Sequence, residues 1–461
     1  MADQQQNQPG GKGQQADPYA LSQYSMQPQQ NSGSEDSPYY KSTAPSISMP
    51  KGGGAIKGID EKFSVNALNG TAGLEIPLPL TPGRGGFTPA LSVSYNSGSG
   101  NSEFGLGWGL SLPAIQRKTD RKLPLYDDAQ ESDVFLLAGA EDLVPVLDAS
   151  GQRAIFSKNG YTIKRYRPRI EGLFARIELI TRENDSESWW RVTTKENITS
   201  YYGLSAASRI TDPEQPQRIF KWLPDITIDH KGNVQRYLYK AEDTVQVPDV
   251  IYEKNRKNGL QPVANTYLKR VYYGNRTPYF IKPGANDVLF PELPDTQWLF
   301  EAVFDYGEHQ QHSYAEQHPW NYRRDAFSDF HAGFEIRTYR RCQRVLMFHH
   351  FDELNEGDPT LVRSLDLHYE ADAAVTAVET DYITQAKISA YRLNGSGTYA
   401  SRSLPAMKLN YSKLAWNTKI TKVTQEAFRG VPQGLSGPYQ WMDFEGEGIS
   451  GIYTEQGKGW F

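Results

Sequence analysis

The chain has 461 residues, of which 38% are hydrophobic, and a net charge of −5, with a mean hydropathy of −0.63. That length allows one very large domain or two to three ordinary ones, enough to bury a substantial core. Both charge signs are scattered, so the positive footprint of a nucleic-acid groove is missing, and no apolar run approaches the length of a membrane span.

The N-terminus carries neither a basic n-region nor an apolar h-region, so it is not a secretory signal peptide; release from the cell would need another route. Residues 1–45 are Gln, Asn, Ser, Gly and Pro with scattered Tyr. Such a segment cannot bury enough apolar surface to offset ordering, and it reads as a disordered leader. Prion-like self-association is the rival reading.

From Ile47 onward the pattern is that of strands. The whole chain holds 28 Tyr, 19 Phe and 9 Trp, which suit half-buried pleated surfaces. Its 40 Gly and 28 Pro supply the turns that many short strands require. Leu74, Ile76, Leu78 and Leu80 fall on one face of an extended segment, and Pro77 and Pro79, which cannot donate to a ladder, predict an edge strand. Turn chemistry at Thr81-Pro82-Gly83-Arg84-Gly85-Gly86 precedes the alternating Leu91-Ser92-Val93-Ser94-Tyr95. Phe104-Gly105-Leu106-Gly107-Trp108-Gly109-Leu110 alternates large residues with glycine and predicts a tightly curved strand; a phosphate cradle would need a helix and a Lys-Ser/Thr ending, and both are missing. Asp229 to Asn233, followed by Tyr237 and Tyr239, predicts a strand-turn-strand. Phe300–Tyr306, Leu365–Tyr369 and Met407–Tyr411 continue as strands. The fold class is therefore mainly β, with large twisted antiparallel sheets. Residues 46–430 form the β-rich body, and 431–461 a linker and the opening of a further module.

The residues that could carry chemistry were weighed against plain structural roles. Cys342, the only cysteine, cannot form an internal disulfide or a cysteine metal cluster, and it reads as a small core residue rather than a catalytic thiol. His309 and His312, and His349 and His350 before Asp352, lack the spacing of a zinc helix; adjacent histidines on a strand point to opposite faces. No Gly-x-Ser-x-Gly elbow joins a strand-turn-helix pattern, and Ser97-Gly98-Ser99-Gly100 reads as a polar turn. Glu445-Gly446-Glu447 resembles the Glu-x-Glu of Arg-specific ADP-ribosyltransferases, but Arg191-Val192-Thr193-Thr194 is a poor match for the rest of that site. Asp443, Glu445 and Glu447 also occupy the alternating positions of a calcium turn, yet Thr454 stands where an EF-hand would place its bidentate Glu. A propeller-type turn without metal is the simpler reading. The expectation is of no catalytic, cofactor or metal residues, and no enzyme.

Several segments together resemble the SpvB-type N-terminal domain of the Tc toxin B component (TcdB/TcaC-like), and the corresponding region of Salmonella SpvB. They are Ser48–Ile56, Thr81–Arg84, Leu91–Gly98, Phe104–Trp108, Leu112–Asp120, Asp133–Phe135, Gly139–Val146, Trp190–Val192 and Gly333–Arg340. The stretch around Asp443 is similar to the first strand of the FG-GAP/VCBS-like propeller that follows in the B component. The resemblance implies a piece of a hollow RHS/SpvB-type shell that ends at the first propeller strand. Its partners would be an RHS-repeat C component, whose toxic region the shell encloses, and a pore-forming A component, with no nucleic acid and no direct membrane insertion. Location would be extracellular, after a cytoplasmic pool. In the SpvB arrangement a similar region precedes an ADP-ribosyltransferase. The implied role is structural; an N-terminal carrier region lacking its catalytic end and an aromatic-lined carbohydrate or host-surface module are the alternatives. With no complete propeller, RHS core or transferase in the sequence, a fragment, a truncated product or a separately encoded piece is expected, and the sequence leaves open whether Phe461 is a natural terminus.

Overall fold

The computed structural model describes residues 62–65, 70–139, 141–172, 174–280, 289–291, 293, 297–355, 358–370, 380–395, 397–412, 419–420, 422, 439–443, 451–456 and 459–460. The leader, the Ser48–Ile56 motif, and Glu445 and Glu447 lie outside the described residues. The chain divides into two compact units, Met1–Leu409 and Asn410–Phe461. The second holds antiparallel strands at Tyr439–Met442, Gly451–Gln456 and Gly459–Trp460. Among the described residues no helix is long and apolar enough to cross a membrane.

The first unit is built on one long antiparallel ladder. Ile115–Arg117 pairs on one side with Ile219–Trp222 and on the other with Phe135–Leu137. From there the ladder runs through Glu141–Pro145, Tyr161–Pro168, Arg176–Arg182, Ser188–Thr193 and Thr199–Tyr202. It continues through Pro224–Ile228, Val234–Ala241, Thr266–Asn275, Trp298–Asp305 and Arg344–His349. Thr360–Tyr369, Ile383–Leu393 and Tyr399–Ser403 complete it. Most neighbours are also consecutive in sequence, as short hairpin turns dictate.

The first part of this ladder rolls up. The Gly203 amide donates to Leu223 O at 2.8 Å, and the Leu223 amide to Ser208 O at 2.8 Å. The first bond ties the end of Thr199–Tyr202 to the end of Ile219–Trp222 and closes a small barrel, while the second extends the pairing of Ile219–Trp222 with its hairpin partner Arg209–Thr211. Its interior is aromatic. Phe135 meets Tyr166, Trp190 and Trp222 at centroid separations of 5.7, 4.9 and 5.8 Å, in edge-on geometry that the ring quadrupoles favour. Ile115, Leu137, Ile177 and Val192 fill the remainder.

The second part stays open and is covered by a second sheet of Lys62–Val65, Ala72–Pro77, Ser92–Asn96 and Trp108–Leu110. Ile76, Leu78, Leu91, Val93 and Trp108 from this sheet interlock with Val271, Phe304, Val345, Leu365 and Ile383 from the long one. The alternation at 91–95 is thus a core-facing strand, although Ser92 is buried as well, its hydroxyl 2.8 Å from that of Ser111.

Two local expectations are corrected. Ala72–Pro77 is not an edge strand: it pairs with Lys62–Val65 on one side and Ser92–Asn96 on the other. Proline is tolerated because the first partner ends at Glu75, leaving Pro77 bonded on one side only. Nor is 104–110 a curved strand throughout. Only Trp108–Leu110 is extended; Gly105 and Gly107 have φ of +92° and +76° and make a turn. A Cβ on Gly105 would sit 2.7 Å from the Asp381 carbonyl oxygen, so the glycine is required by both conformation and space.

Candidate functional site

The open part of the long sheet has two different faces. One is the apolar seam just described. The other sets buried charge beside a smaller apolar cluster of Val303, Leu346, Phe348 and Leu361. Glu301, wholly buried, accepts hydrogen bonds from Arg270 and from the Tyr314 hydroxyl at 3.4 Å, and its Oε2 is 2.9 Å from His350 Nε2. Burial alone would raise its pKa; the His350 hydrogen bond and the Arg270 charge reverse that and hold it below the ordinary value. Four residues on, Asp305 accepts two N–H bonds from Arg344, at 2.8 and 2.6 Å. Glu308 accepts from Lys240 and Lys269, each at 2.8 Å. Lys269 reaches this knot because the ladder slips one residue between Leu238 and Tyr239, leaving Lys269 as the extra residue of a bulge.

Asp305, Glu308 and His309 offer ligand atoms all within 4.8 Å of one another, a grouping that sequence reasoning missed. The local signal is the run Asp305-Tyr306-Gly307-Glu308-His309, in which Asp305 Oδ1 accepts the amides of Gly307 and His309 at 2.9 and 3.1 Å and folds the segment back. The donor set suits a divalent cation in principle. Here, however, lysine and arginine already occupy the carboxylate oxygens, and the Lys269 ammonium lies 3.2 Å from His309 Nε2. Burial and Lys269 both push the His309 pKa down. The neutral ring accepts from Lys269 at Nε2, which places its proton on Nδ1, a buried atom with no partner. A metal would have to displace Lys269, so the geometry fits an ion-pair knot.

The carboxylates of the other clusters are likewise paired within the fold, although Arg337 Nε is buried without a partner among the described residues. Glu253, wholly buried, takes bonds from the Tyr339 hydroxyl, from Arg337 at 2.5 Å and from Arg256 at 3.1 Å, and Arg256 in turn grips Glu335. Asp225 is buried among four uncharged donors: the amides of Leu204 and Ser205 and the hydroxyls of Ser205 and Ser208. Its pKa is raised by burial, against the lowering effect of those bonds. Cys342 is fully buried, and burial pushes its thiol well up, away from the thiolate that nucleophilic chemistry requires.

The histidines flagged in the sequence are dispersed. His349 Nε2 is 2.7 Å from Thr81 Oγ1 of the loop leading out of the covering sheet, whereas His350 turns to Glu301, as adjacent strand positions require. His312 packs on Tyr391 and Tyr399 at 5.0 and 5.2 Å, separate in role from His309. Arg191 is not part of a dinucleotide site: it is buried and bonded to Glu178 Oε2 at 2.9 and 2.6 Å. Asp443 follows the strand Tyr439–Met442 in the second unit.

Comparison with known proteins places this architecture. The family model described as SpvB, the Salmonella virulence plasmid 65kDa B protein, matches residues 66–351. The chain belongs to the SpvB family. Its curated relatives include the mono(ADP-ribosyl)transferase SpvB of Salmonella choleraesuis, 36% identical over 345 residues, which are 71% of this chain and 55% of that protein. The chain thus spans about half the length of the curated relatives it matches. Among solved structures, the N-terminal domain of the effector protein SpvB from Salmonella typhimurium superposes with a TM-score of 0.61 at 32% identity, covering 69% of this chain and 98% of that one. TcdB2-TccC3 superposes with a TM-score of 0.71 at 31% identity over 90% of this chain and 20% of that one. The Photorhabdus luminescens Tc holotoxin pore gives 0.71 at 31% over 90% and 19%. The SpvB-family chain is thus mostly antiparallel β, and similar to toxin components over most of its length.

Proposed function

We propose that this chain is a non-catalytic wall segment of a toxin shell, which encloses a partner toxin and helps deliver it. The observation that carries this reading is the match of 90% of the chain to about a fifth of TcdB2-TccC3. Physical chemistry is in keeping with it. The charged side chains of the long sheet are spent on one another, as in the Glu301, Asp305 and Glu308 knots, which suits a rigid wall better than an activated nucleophile. In this reading the partners are an RHS-repeat C component and a pore-forming A component, action is extracellular after release, and the strands at 439–460 open a propeller blade.

Co-expression with an RHS-repeat C component, followed by purification and particle imaging, tests the proposal. A hollow particle containing both chains is the expected result. Two chains that elute separately and never co-purify would reject it.

A second reading rests on the identity to proteins named mono(ADP-ribosyl)transferase and on the coverage of their N-terminal domain: the chain is the carrier region of an ADP-ribosylating toxin. Incubation with labelled NAD and host-cell lysate separates the readings at the level of this chain. Neither expects label transfer by it; transfer would overturn the non-catalytic assignment in both.

A further inference from the structure

A groove of about 60 Å³ opens where the loop at 87–91 of the covering sheet meets the long sheet. At roughly 10–15 Å³ for each water, it has room for about four to six waters, close to the space of a single sugar ring.

Its lining is uncharged. Phe87, Pro113 and Pro224 supply apolar wall, and the remaining polar groups are hydroxyls and one amide. These hydroxyls line one wall as a chain of residues: Ser200 Oγ lies 3.0 Å from Thr227 Oγ1, the Tyr237 hydroxyl donates to Gln235 Oε1 at 2.8 Å, and Tyr202 stands beside them. The row ends at Gln235. Gln235 is 95% buried, by its 5% exposure, and only its carbonyl oxygen has a partner among the described residues. Its Nε2 has no hydrogen-bond partner among the described residues and is not sealed in the interior, so its two N–H donors are left to whatever occupies the groove that Gln235 lines. Thr194 Oγ1, on the same wall, is also buried without a partner.

This lining excludes most ligand classes. With no Lys or Arg it does not fit a phosphate or other anion, and with no carboxylate, His or Cys it does not fit a metal. An added peptide strand needs a free sheet edge. The lining strands Ser188–Thr193, Thr199–Tyr202, Pro224–Ile228 and Val234–Ala241 are each paired on both sides. A neutral polyhydroxyl compound presents what remains: hydroxyl acceptors for Gln235 and Thr194, and C–H faces for Tyr202, Tyr237 and Phe87.

We propose that this groove is a binding site for a neutral sugar ring, held by the Gln235 amide and the hydroxyl chain beside it. The site is independent of the shell reading and would hold in either carrier arrangement.

The test is titration calorimetry and saturation-transfer NMR on the full chain, with a panel of neutral mono- and disaccharides and an uncharged tetrapeptide as the competing class. Saturable binding of at least one saccharide is expected, weakened about tenfold or more by Gln235→Leu. Because Gln235 is buried, Ala90→Trp provides a second variant: Ala90 is exposed at the lip, and an indole there would block the mouth without touching the hydroxyl chain. Loss of binding in a folded Ala90→Trp protein, with an unchanged unfolding midpoint, supports the site. No saturable saccharide binding, binding that survives Ala90→Trp, or preference for the tetrapeptide each overturns it.

Discussion

Between Ile115 and Trp222 the long sheet closes on itself and fills its interior with Phe135, Tyr166, Trp190 and Trp222; between Val234 and Ile388 the same sheet stays open and relies on the strands of residues 72–110 to cover one face. In the rolled part every core residue comes from the ladder, and ring shape decides the packing. In the open part the apolar contacts come from two layers, and the far face is stabilised by matched charges such as Glu308 with Lys240 and Lys269. One backbone arrangement therefore has two vulnerabilities: volume in the roll, charge balance in the layers.

That contrast predicts how each part fails. The largest expected effect is Trp222→Ala, at about 4 kcal/mol of unfolding free energy in a denaturant titration, because an aromatic ring leaves a cavity that a closed barrel cannot collapse. A loss below about 1 kcal/mol would mean that the roll is not a packed core. Next is Glu308→Ala, at about 2 kcal/mol, since it removes the 2.8 Å partner of Lys269, a side chain 6% exposed, and leaves it only the Glu316 carboxylate at 3.4 Å and the Phe304 carbonyl at 3.2 Å. The paired change Glu308→Met with Lys269→Met should recover most of that loss. If it does not, packing rather than charge balance governs the far face.

Gly105→Ala tests the joint between the layers. A side chain at φ +92° facing the Asp381 carbonyl should cost about 2 kcal/mol. The smallest effect concerns acid. Burial first, and the Arg363 charge second, hold His349 at about 4, below the usual 6.5. For a base with a depressed folded pKa, stabilisation is complete above the ordinary value and is lost as pH falls from about 6.5 toward about 4. The ring is only partly buried, so solvent screening reduces the difference to about 1 kcal/mol. His349→Gln should flatten the stability profile by that amount across that window, and an unchanged profile would show that other groups set it.

Much of the strand content was legible because period-2 alternation is local: 91–95, 300–306 and 365–369 could be read directly, and the turn at Asp229–Asn233 carries its own chemistry in Asp229, which accepts the Lys231 and Asn233 amides. What could not be read depends on partners. The prolines suggested an edge, but whether a strand is an edge is decided by a neighbour that is distant in sequence. The Arg337–Glu253 bond joins residues 84 apart, and the bulge that delivers Lys269 to Glu308 exists only once the register is set. The groove was less legible still, because Gln235 gains meaning from Thr194, Ser200 and Phe87 beside it. The boundary expected near residue 430 and the metal-free turn expected around Asp443 concern a stretch in which few residues are described; both stand as proposals, and calcium titration of the full chain is the measurement that would separate the second from its calcium-binding rival.

The slips in the ladder reach beyond local geometry. Pairing shifts between Tyr201 and Tyr202, Ile210 and Thr211, Leu238 and Tyr239, Met347 and Phe348, and His368 and Tyr369. A strand that docked one residue out of place would exchange its two faces, driving Glu301 or Asp305 into the apolar seam and exposing Phe304 or Val345. Each slip therefore sits where the register is already fixed by what the two faces must bury, so the ladder holds its alignment through its side chains as much as through its backbone bonds.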